Sequence, residues 1–165
     1  MDYLWSPWRY QYVTSGAPET PGGNPCLFCR VAGQSDDRTN YVLQRAERNF
    51  ILLNRYPYTT GHLMIAPYEH VATLEEARTE TLEELIRLAQ RAEAAVRRIY
   101  RAGGMNLGFN IGQCAGAGVA GHIHMHVLPR WHGDTSFITT TGETRVLPED
   151  LETSFDKLAA ALAAG

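Results

Sequence analysis

The sequence predicts an α+β domain in which a mainly antiparallel five-stranded sheet packs with one long helix and a C-terminal helix. Short runs rich in Val, Ile, Leu and Phe alternate with turn residues, which is the pattern of strands connected by hairpins. One long stretch in the middle of the chain repeats its apolar residues at helical spacing, and a second such stretch ends the sequence. Strands grouped around helices, without βαβ alternation, indicate the antiparallel arrangement.

Five segments have the composition of strands. The third follows the turn sequence YPYTTG, and the fourth comes directly after Gly103-Gly104. The fifth contains three alternating histidines and should end near Pro129, because proline cannot donate to a central ladder. The other predicted strands cover residues 41–44, 50–54, 62–66 and 105–111.

Two helices are predicted after the third strand and at the C-terminus. The longer one runs from about residue 79 to residue 101, and Gly103-Gly104 stops it. The sequence TLEE occurs at residues 73–76 and 81–84, and both copies fit the capping-box pattern that opens helices. The final helix, at about residues 148–163, places four apolar side chains on one face: Leu151, Phe155, Leu158 and Leu162.

Length and composition indicate one domain spanning residues 1–165, with an irregular, aromatic-rich N-terminal segment at residues 1–25. The net charge of −3 argues against a nucleic-acid partner, which normally requires a basic face. No apolar run approaches the roughly 18 residues that span a bilayer. The N-terminus lacks a signal-peptide pattern, and three cysteines do not suggest a disulfide scaffold. We therefore expect a cytoplasmic protein without membrane contact.

The sequence GHIHMHVLPR, at residues 121–130, holds half of the six histidines. Side chains of a strand alternate between its two faces at about 3.3 Å per residue. His122, His124 and His126 would therefore line one face, while the apolar residues between them enter the core. Three imidazoles in this arrangement could all bind one metal, could act in catalysis, or could simply form a polar strand face.

Imidazole chemistry and the preceding loop favour catalysis on phosphorus. A neutral imidazole is a competent nucleophile at neutral pH, because its reference pKa is about 6.5. Attack through one ring nitrogen works best when a carbonyl holds the other N–H and fixes the tautomer. Residues 112–121 are mostly glycine and alanine, so their backbone N–H groups could approach a phosphate closely. A tight strand-to-strand turn is the alternative interpretation of this loop.

The sequence Cys26-Leu27-Phe28-Cys29 is a C-x-x-C pair that could be a redox motif, half of a zinc site, or incidental. A redox motif should lie between a strand and a helix start, and the sequence gives no sign of that context. Pro25 before the pair and a short loop after it are more typical of a zinc knuckle than of a redox motif. Tetrahedral zinc would need two more ligands, for which neutral imidazoles are the natural supply. Cys114 is expected to be a small buried filler.

The H-x-H-x-H motif, followed by Pro129-Arg130, resembles the signature of the histidine triad (HIT) superfamily of nucleotide hydrolases and transferases. The resemblance covers residues 26–131 and implies a HIT-like fold. It implies that His124, the middle histidine, is the nucleophile that takes the α-phosphate of a nucleotide. It also implies that His126 hydrogen-bonds the phosphate oxygens.

Upstream segments resemble the substrate-binding part of that family. In ILLNR and GHLMI, at residues 51–55 and 61–65, an asparagine would meet the ribose hydroxyls, two leucines would pack near the base, and a histidine would support the site. In GFNIG, at residues 108–112, an asparagine would contact the phosphate side. The substrate-binding residues implied by the resemblance are Leu52, Leu53, Asn54, His62, Asn110, Gly116, Gly118 and Val119.

One position departs from the family pattern. Nucleoside phosphoramidase members usually carry Ser or Thr three residues before the first histidine, and its hydroxyl can bond the phosphate or the leaving group. Here that residue is Val119, preceded by Gly118. Backbone N–H groups would have to supply the donors instead, so the preferred leaving group stays open.

Two further segments are similar to bacterial diadenosine tetraphosphate phosphorylases of this superfamily, LWSPWR at residues 4–9 and PRWHGDTSFI at residues 129–138. Arg130, Trp131 and His132 would then lie where a second nucleotide or an acceptor phosphate could be held. The alternative is that Trp131 belongs to the core and that Arg130 forms a surface ion pair.

The resemblance also completes a set of zinc ligands. Zinc-bearing members combine the C-x-x-C pair with a histidine just after the third strand and with the first histidine of the triad. This implies a closed, structural Zn²⁺ site made of Cys26, Cys29, His70 and His122. The resemblance further implies a homodimer formed through the long helix and a sheet edge. We also expect Mg²⁺ to accompany the nucleotide substrate.

The predicted function is cleavage of dinucleoside polyphosphates, such as diadenosine tetraphosphate, through a nucleotide held on His124 and then passed to phosphate. A HIT-type hydrolase of dinucleoside polyphosphates or nucleoside phosphoramidates, with water as acceptor, is the alternative. A zinc enzyme in which His122, His124 and His126 share one metal would leave the C-x-x-C pair and His70 without a role. A non-catalytic nucleotide-binding or redox-regulated module is the last alternative.

Overall fold

A computed structural model describes residues 26–142 and 147–164. The predictions for residues 1–25, including the aromatic segment and the LWSPWR similarity, lie outside the described residues. The strands of the described part are β1 (Val42–Arg45), β2 (Asn49–Leu53), β3 (Leu63–Pro67), β4 (Gly104–Phe109) and β5 (Met125–Arg130). The helices are α1 (Leu27–Ala32), α2 (Thr79–Tyr100), α3 (Phe137–Thr141) and α4 (Leu151–Ala163), with a short 3₁₀ turn at Gln113–Ala115.

The five strands form one antiparallel sheet in the order β1-β2-β3-β5-β4, so the predicted α+β fold class is confirmed. Strand β5 lies between β3 and β4 and is the strand that carries His126. It pairs with β3 only from Met125 to Val127, whereas its pairing with β4 extends to Arg130. Pro129 therefore lies where β5 no longer pairs with β3, so its missing N–H costs no bond to that strand. Strand β5 was predicted to end near Pro129 and ends at Arg130.

The histidine segment differs from the prediction in one respect. Only His126 belongs to β5, since His122 and His124 lie in the stretch directly before the strand begins. The N–H of Ile123 donates to the carbonyl of Val71 at 2.7 Å, and this bond ties that stretch to the loop after β3. The first two histidines are thus held by a loop contact, not by the ladder.

Helices α2 and α4 cover one face of the sheet and form the main core with it. The core contains side chains from β2, β3 and β5 together with the apolar faces of both helices. Each fully buried Leu or Ile stabilises the fold by about 1.5–3 kcal/mol relative to an exposed one. The largest fully buried members are Ile51, Leu53, Leu63, Ile65, Leu85, Val96, Val127 and Leu158.

Helix α2 ends at Tyr100, before the Gly103-Gly104 pair that was predicted to stop it. Arg101 takes a left-handed conformation, with φ of 49°, and its N–H bonds the carbonyl of Arg97. The chain thus leaves the helix at Arg101, and the glycine pair follows outside it. At the other end of the chain, α4 begins at Leu151 and not at 148, because Asp150 caps it by accepting the N–H of Thr153 at 2.7 Å.

The two TLEE sequences do not open helices as predicted. At the first, the carboxylate of Glu76 accepts the N–H of Ala72 at 2.8 Å and Thr73 Oγ1 accepts the N–H of Glu76 at 3.4 Å. The Thr73 bond is the hydroxyl half of a capping box, but Glu76 bonds Ala72 and not Thr73, and the segment is only a turn because no helical repeat of apolar residues follows it. The second copy lies inside α2, which begins two residues earlier at Thr79.

The opposite face of the sheet carries α1 and the histidines. Phe28 and Val31 of α1 pack with Val42, Phe50 and a group of neighbours that also contains Leu52, Met64 and Ala66. The sequence suggested a short loop after the C-x-x-C pair, but a helix contains Cys29 and continues to Ala32. Cys26 is the N-cap of α1 and Cys29 lies in its first turn, because the apolar pair three residues apart docks a helical turn onto the sheet.

Among the described residues, no helix combines the length and the apolar character that crossing a membrane requires.

Candidate active site

The three histidines of the motif lie on the sheet face opposite to α2. Met125 and Val127 enter the helix-side core, while His122, His124 and His126 are 0%, 5% and 7% exposed. The predicted alternation is therefore confirmed, although the three rings lie in a largely buried site and not on an open polar face.

His124 has its tautomer fixed by a hydrogen bond to a neighbouring carbonyl. Its Nδ1 lies 2.9 Å from the carbonyl oxygen of His122. Because a carbonyl can only accept, Nδ1 carries the proton, and Nε2 keeps its lone pair in the neutral ring. Burial lowers the pKa of His124, and the hydrogen bond to His122 opposes this only partly. The ring is thus neutral at pH 7, with Nε2 as a nucleophilic atom.

A second pair of histidines, His62 and His126, has its tautomers fixed by a chain of hydrogen bonds. The backbone N–H of Tyr58 donates to His62 Nδ1 at 3.1 Å, and the amide nitrogen of Asn54 lies 3.3 Å from the same atom. His62 Nδ1 is therefore an acceptor, and Nε2 carries the proton. That proton is donated to His126 Nδ1, which lies 2.9 Å away. A neutral His126 must then carry its own proton on Nε2.

The chain turns His126 into a hydrogen-bond donor for the site. Burial, together with the nearby His126 and His124, lowers the pKa of His62 to about 3, so His62 stays neutral throughout the physiological range. The rings of His124 and His126 are neighbours, with centroids 4.9 Å apart and planes at 69°. A nucleophilic nitrogen and an N–H donor therefore lie side by side.

The glycine-rich loop folds back on itself before the histidine segment. Gly112 and Gly116 have φ of 82° and 87°, a region that glycine enters without strain. The carbonyl of Gly112 accepts the N–H groups of Ala115 and Ala117, and Gly116 N–H bonds Gln113. Within the described part of the chain, the N–H groups of Gly118 and Val119 have no such acceptor.

The remaining predicted substrate residues occupy different positions. Phe109 of β4 pairs with Met125 of β5. Asn110 is the next residue after Phe109 and His124 is the residue before Met125, so the two lie at the same end of this strand pair. Leu52 packs on the histidine side of the sheet, whereas Leu53 packs in the helix-side core. The two leucines were predicted to line one base pocket, but neighbouring residues of a strand face opposite sides, so only Leu52 lies on the side of the histidines.

Cys26, Cys29, His70 and His122 form the cluster that the resemblance implied. One ligand atom from each lies within 4.8 Å of all the others. The Sγ atoms of Cys26 and Cys29 lie 3.3 and 3.6 Å from His122 Nδ1, and His70 Nδ1 lies 3.3 Å from the same atom. In a tetrahedral zinc site, neighbouring sulfur and nitrogen ligands are roughly 3.4–3.6 Å apart. The cluster therefore has the dimensions of a closed tetrahedral site.

The proton positions in this cluster also suit a cation. His122 Nε2 donates to the carbonyl of Pro67 at 2.9 Å, so Nδ1 keeps the lone pair that faces the sulfur atoms. Burial lowers the pKa of His122 to about 4 and keeps the ring neutral. Burial raises the pKa of the Cys26 thiol, so a bound cation would be needed to hold it as thiolate at neutral pH. Of the three motif histidines, only His122 belongs to this cluster.

Three further residues, Cys114, Arg130 and Trp131, lie away from the motif histidines. Cys114 is exposed and not a buried filler, because it lies in the surface turn of the glycine-rich loop. The Trp131 indole N–H donates to the Tyr100 carbonyl at 3.0 Å. Arg130 forms an ion pair with Asp134 and also bonds Asn106. The ion-pair alternative therefore describes Arg130, whereas Trp131 is half-buried against the Tyr100 ring and is not part of the core.

Three contacts of the site were not found from the sequence. The Tyr58 N–H and the Pro67 carbonyl are backbone groups, so residue type gives no sign of them. Phe28 packs on two of the motif histidines, and its position inside the C-x-x-C pair was the one available signal.

The described residues form a five-stranded antiparallel sheet with three buried motif histidines and an adjacent Cys–His cluster, an α+β arrangement that fits an enzyme acting through histidine. Residues 36–133 match the family described as HIT domain. The chain is 35% identical over 150 residues to an AP-4-A phosphorylase of Mycobacterium tuberculosis, covering 88% of this chain and 76% of that protein. The chain belongs to the histidine triad family, and it is an enzyme of that family.

Solved structures agree with this assignment. A Zn-bound histidine triad family protein from Mycobacterium smegmatis superposes with a TM-score of 0.69 at 32% identity, covering 84% of this chain and 94% of the other. A hypothetical histidine triad nucleotide-binding protein from Sulfolobus tokodaii superposes with a TM-score of 0.68 at 27% identity, covering 84% and 93%. The HIT fold predicted from the motif is therefore confirmed.

Proposed function

We propose that this protein cleaves dinucleoside polyphosphates such as diadenosine tetraphosphate by nucleotidyl transfer through His124, with phosphate as the acceptor. The observation that carries the proposal is the hydrogen bond from His124 Nδ1 to the His122 carbonyl, which leaves Nε2 free to attack phosphorus. The similarity to the M. tuberculosis AP-4-A phosphorylase supports the choice of substrate and acceptor.

The reaction proceeds in two displacements. His124 Nε2 attacks the α-phosphorus, the P–N bond forms, and the P–O bond to the polyphosphate breaks, so ATP leaves from diadenosine tetraphosphate. An oxygen of inorganic phosphate then attacks the same phosphorus, the P–N bond breaks, and ADP is released. Water in place of phosphate would release AMP.

Donors in the site would stabilise the negative charge that develops on the phosphoryl oxygens. The proton on His126 Nε2 is set by His62, whose Nε2 donates to His126 Nδ1. The N–H groups of Gly118 and Val119 would replace the hydroxyl that other members carry at this position, with Gly116 shaping the turn before them. Asn110 would contact the phosphate from the end of β4.

The nucleoside half of the substrate would lie beside the histidine face of β2. Leu52 would pack near the base, and Asn54 would meet the ribose hydroxyls, since it directly follows β2 and bonds His62. Leu53 would not contact the base, because it packs in the helix-side core and supports β2 from the other face of the sheet. Mg²⁺ would accompany the polyphosphate as its counterion.

We further propose that Cys26, Cys29, His70 and His122 hold a structural Zn²⁺. The cluster dimensions and the His122 tautomer support this, as does the similarity to a Zn-bound family member. Zinc would bind both cysteines as thiolates and fix α1 on the sheet. No step of the transfer passes through it, because the closed site offers four protein ligands and no open position.

A homodimer is the proposed assembly. Strand β4 is one of the two outer strands of the described sheet, and Leu107 on it is 41% exposed. An unpaired edge with an apolar side chain is a surface that a second copy can cover. Light scattering of the protein and of Leu107→Lys should show loss of the dimer in the variant. A cytoplasmic location and the absence of a nucleic-acid partner stay predictions.

Product analysis tests the proposed function. Diadenosine tetraphosphate supplied with phosphate should give ADP and ATP, and phosphate labelled with ³²P should place its label in ADP. AMP and ATP as the only products, whether or not phosphate is present, would show that the protein is the hydrolase. His124→Ala should abolish turnover and the acid-labile, nucleotide-labelled protein intermediate. Turnover by that variant with either acceptor would exclude His124 as the nucleophile.

A further inference from the structure

Phe28 lies between the two cysteines of the metal cluster and packs directly on the histidine that attacks phosphorus. Its ring centroid is 4.6 Å from that of His124 and 5.1 Å from that of His122. Both distances fall in the range of favourable contacts between aromatic rings. Phe28 is 1% exposed, so its ring is surrounded by the protein and is not an open wall of the substrate pocket.

The His124 ring is confined from three directions. Nδ1 is bonded to the His122 carbonyl, the His126 ring lies with its centroid 4.9 Å away at an interplanar angle of 69°, and Phe28 closes a further side at an interplanar angle of 35°. The hydrogen bond alone fixes the tautomer but allows the ring to tilt about it, because bonds of this kind tolerate a broad range of angles. A packed aromatic side chain removes that freedom.

Phe28 is in turn held by the segment around it. It belongs to the first turn of α1, whose N-cap is Cys26 and which contains Cys29. Arg45 binds the other end of the helix, through hydrogen bonds to the carbonyls of Val31 and Ala32. The match to the HIT domain begins only at residue 36, so this support for the nucleophile comes from outside the matched region.

We propose that Phe28 is a positioning residue, which holds the His124 imidazole in the orientation for in-line attack and transmits the order of the Cys–His cluster to the nucleophile. The inference rests on the proposed function of His124. A misplacement of about 1 Å in a reacting group can lower a rate by about 100-fold. Loss of the Phe28 ring should therefore act on the rate of attack, with little effect on substrate affinity.

The test compares Phe28→Leu with Phe50→Leu. Phe50 is 0% exposed, belongs to the same apolar group as Phe28, and stacks on Tyr68 at 5.3 Å. Both variants lose an aromatic ring from the same side of the sheet, but only Phe28 contacts the motif histidines. Zinc content and melting temperature are measured for both proteins, and Phe28→Met provides a second, flexible replacement of the ring.

The kinetic readout separates binding from chemistry. In Phe28→Leu, kcat should fall at least 10-fold and KM should change less than twofold, while rapid acid quench shows an equally slower formation of the nucleotidyl-histidine. Phe50→Leu should keep both constants within about twofold, and both variants should keep their zinc.

Other outcomes overturn the inference. An equal loss of kcat in both variants, or no loss in Phe28→Leu, would show that the ring has no positioning role. A rise of KM at constant kcat would make Phe28 part of the base pocket. Failure of both Phe28 variants to fold or retain zinc, with Phe50→Leu intact, would make it a structural residue. Turnover by His124→Ala would refute the proposed function separately.

Discussion

Replacing His62 by glutamine should make the protein less sensitive to acid while preserving the hydrogen bonds around this position. His62 is completely buried, and burial is the main reason why its pKa falls to about 3. A glutamine side chain can accept the N–H of Tyr58 through its oxygen and donate to His126 Nδ1 through its nitrogen. It has no group that titrates, so the substitution removes one proton equilibrium and keeps the contacts.

The size of the effect follows from the pKa of His62 in the two states. Because the folded value is the lower one, the unfolded chain binds more protons below pH 6.5, and the folded state loses stability as the pH falls from there toward 3. At pH 5 the unfolded imidazole is almost fully protonated and the folded one is neutral, which costs about 2 kcal/mol of unfolding free energy. This figure holds for any folded pKa below about 4.

Urea unfolding of both proteins, followed by circular dichroism between pH 7.5 and pH 5, measures this cost. Wild type should lose about 2 kcal/mol more than His62→Gln over that range. Other histidines titrate in both proteins, so the difference between the two curves isolates His62. Parallel curves would refute the reasoning, because they would mean that His62 is protonated equally in the folded and unfolded states.

Three further predictions concern stability. Leu158→Ala, at a fully buried position of α4, should lower the unfolding free energy by about 2–5 kcal/mol, while exposed Leu147→Ala should change it by less than about 0.5 kcal/mol; equal losses would contradict the packing of α4. Gly61→Ala should cost more than Gly133→Ala in urea unfolding, because both have positive φ but only at Gly61 would the new Cβ lie 2.6 Å from the Tyr100 ring. Cys29→Ser should lose bound zinc, measured by mass spectrometry, and melt at a lower temperature, whereas exposed Cys114→Ser should match wild type in both.

The strand pattern and the histidine alternation were predictable because both depend on residue type and a period of two. Met125 and Val127 are apolar and enter the core, so the imidazoles between them had to face the other side. The helix at the C-x-x-C pair could not be predicted in the same way. It is six residues long, too short to be stable in isolation, and it forms because Phe28 and Val31 dock on the sheet.

The different environments of the three histidines could not be predicted from the local sequence pattern either. His122, His124 and His126 have the same spacing and the same side-chain chemistry, so nothing in their own segment separates them. They differ because of what approaches each ring from elsewhere in the chain. Two cysteines approach the first ring, and His62 approaches the third, which lies 64 residues further along the chain. The resemblance to the family supplied these partners where spacing could not.

His122 joins the proposed metal cluster and the nucleophile through a single residue. Its Nδ1 faces the cluster, and its Nε2 donates to the carbonyl of Pro67. Its own backbone carbonyl accepts a hydrogen bond from His124 Nδ1. A side chain held at both ring nitrogens leaves its peptide group little freedom, so the carbonyl that fixes the His124 tautomer is itself fixed by the cluster. Loss of the cluster should therefore disturb attack on phosphorus as well as stability, even though no ligand of the metal touches the substrate. A metal shared by all three histidines would need His124 Nδ1 or Nε2 as a ligand, but Nδ1 is bonded to a carbonyl and Nε2 is the atom that the proposed function assigns to attack on phosphorus.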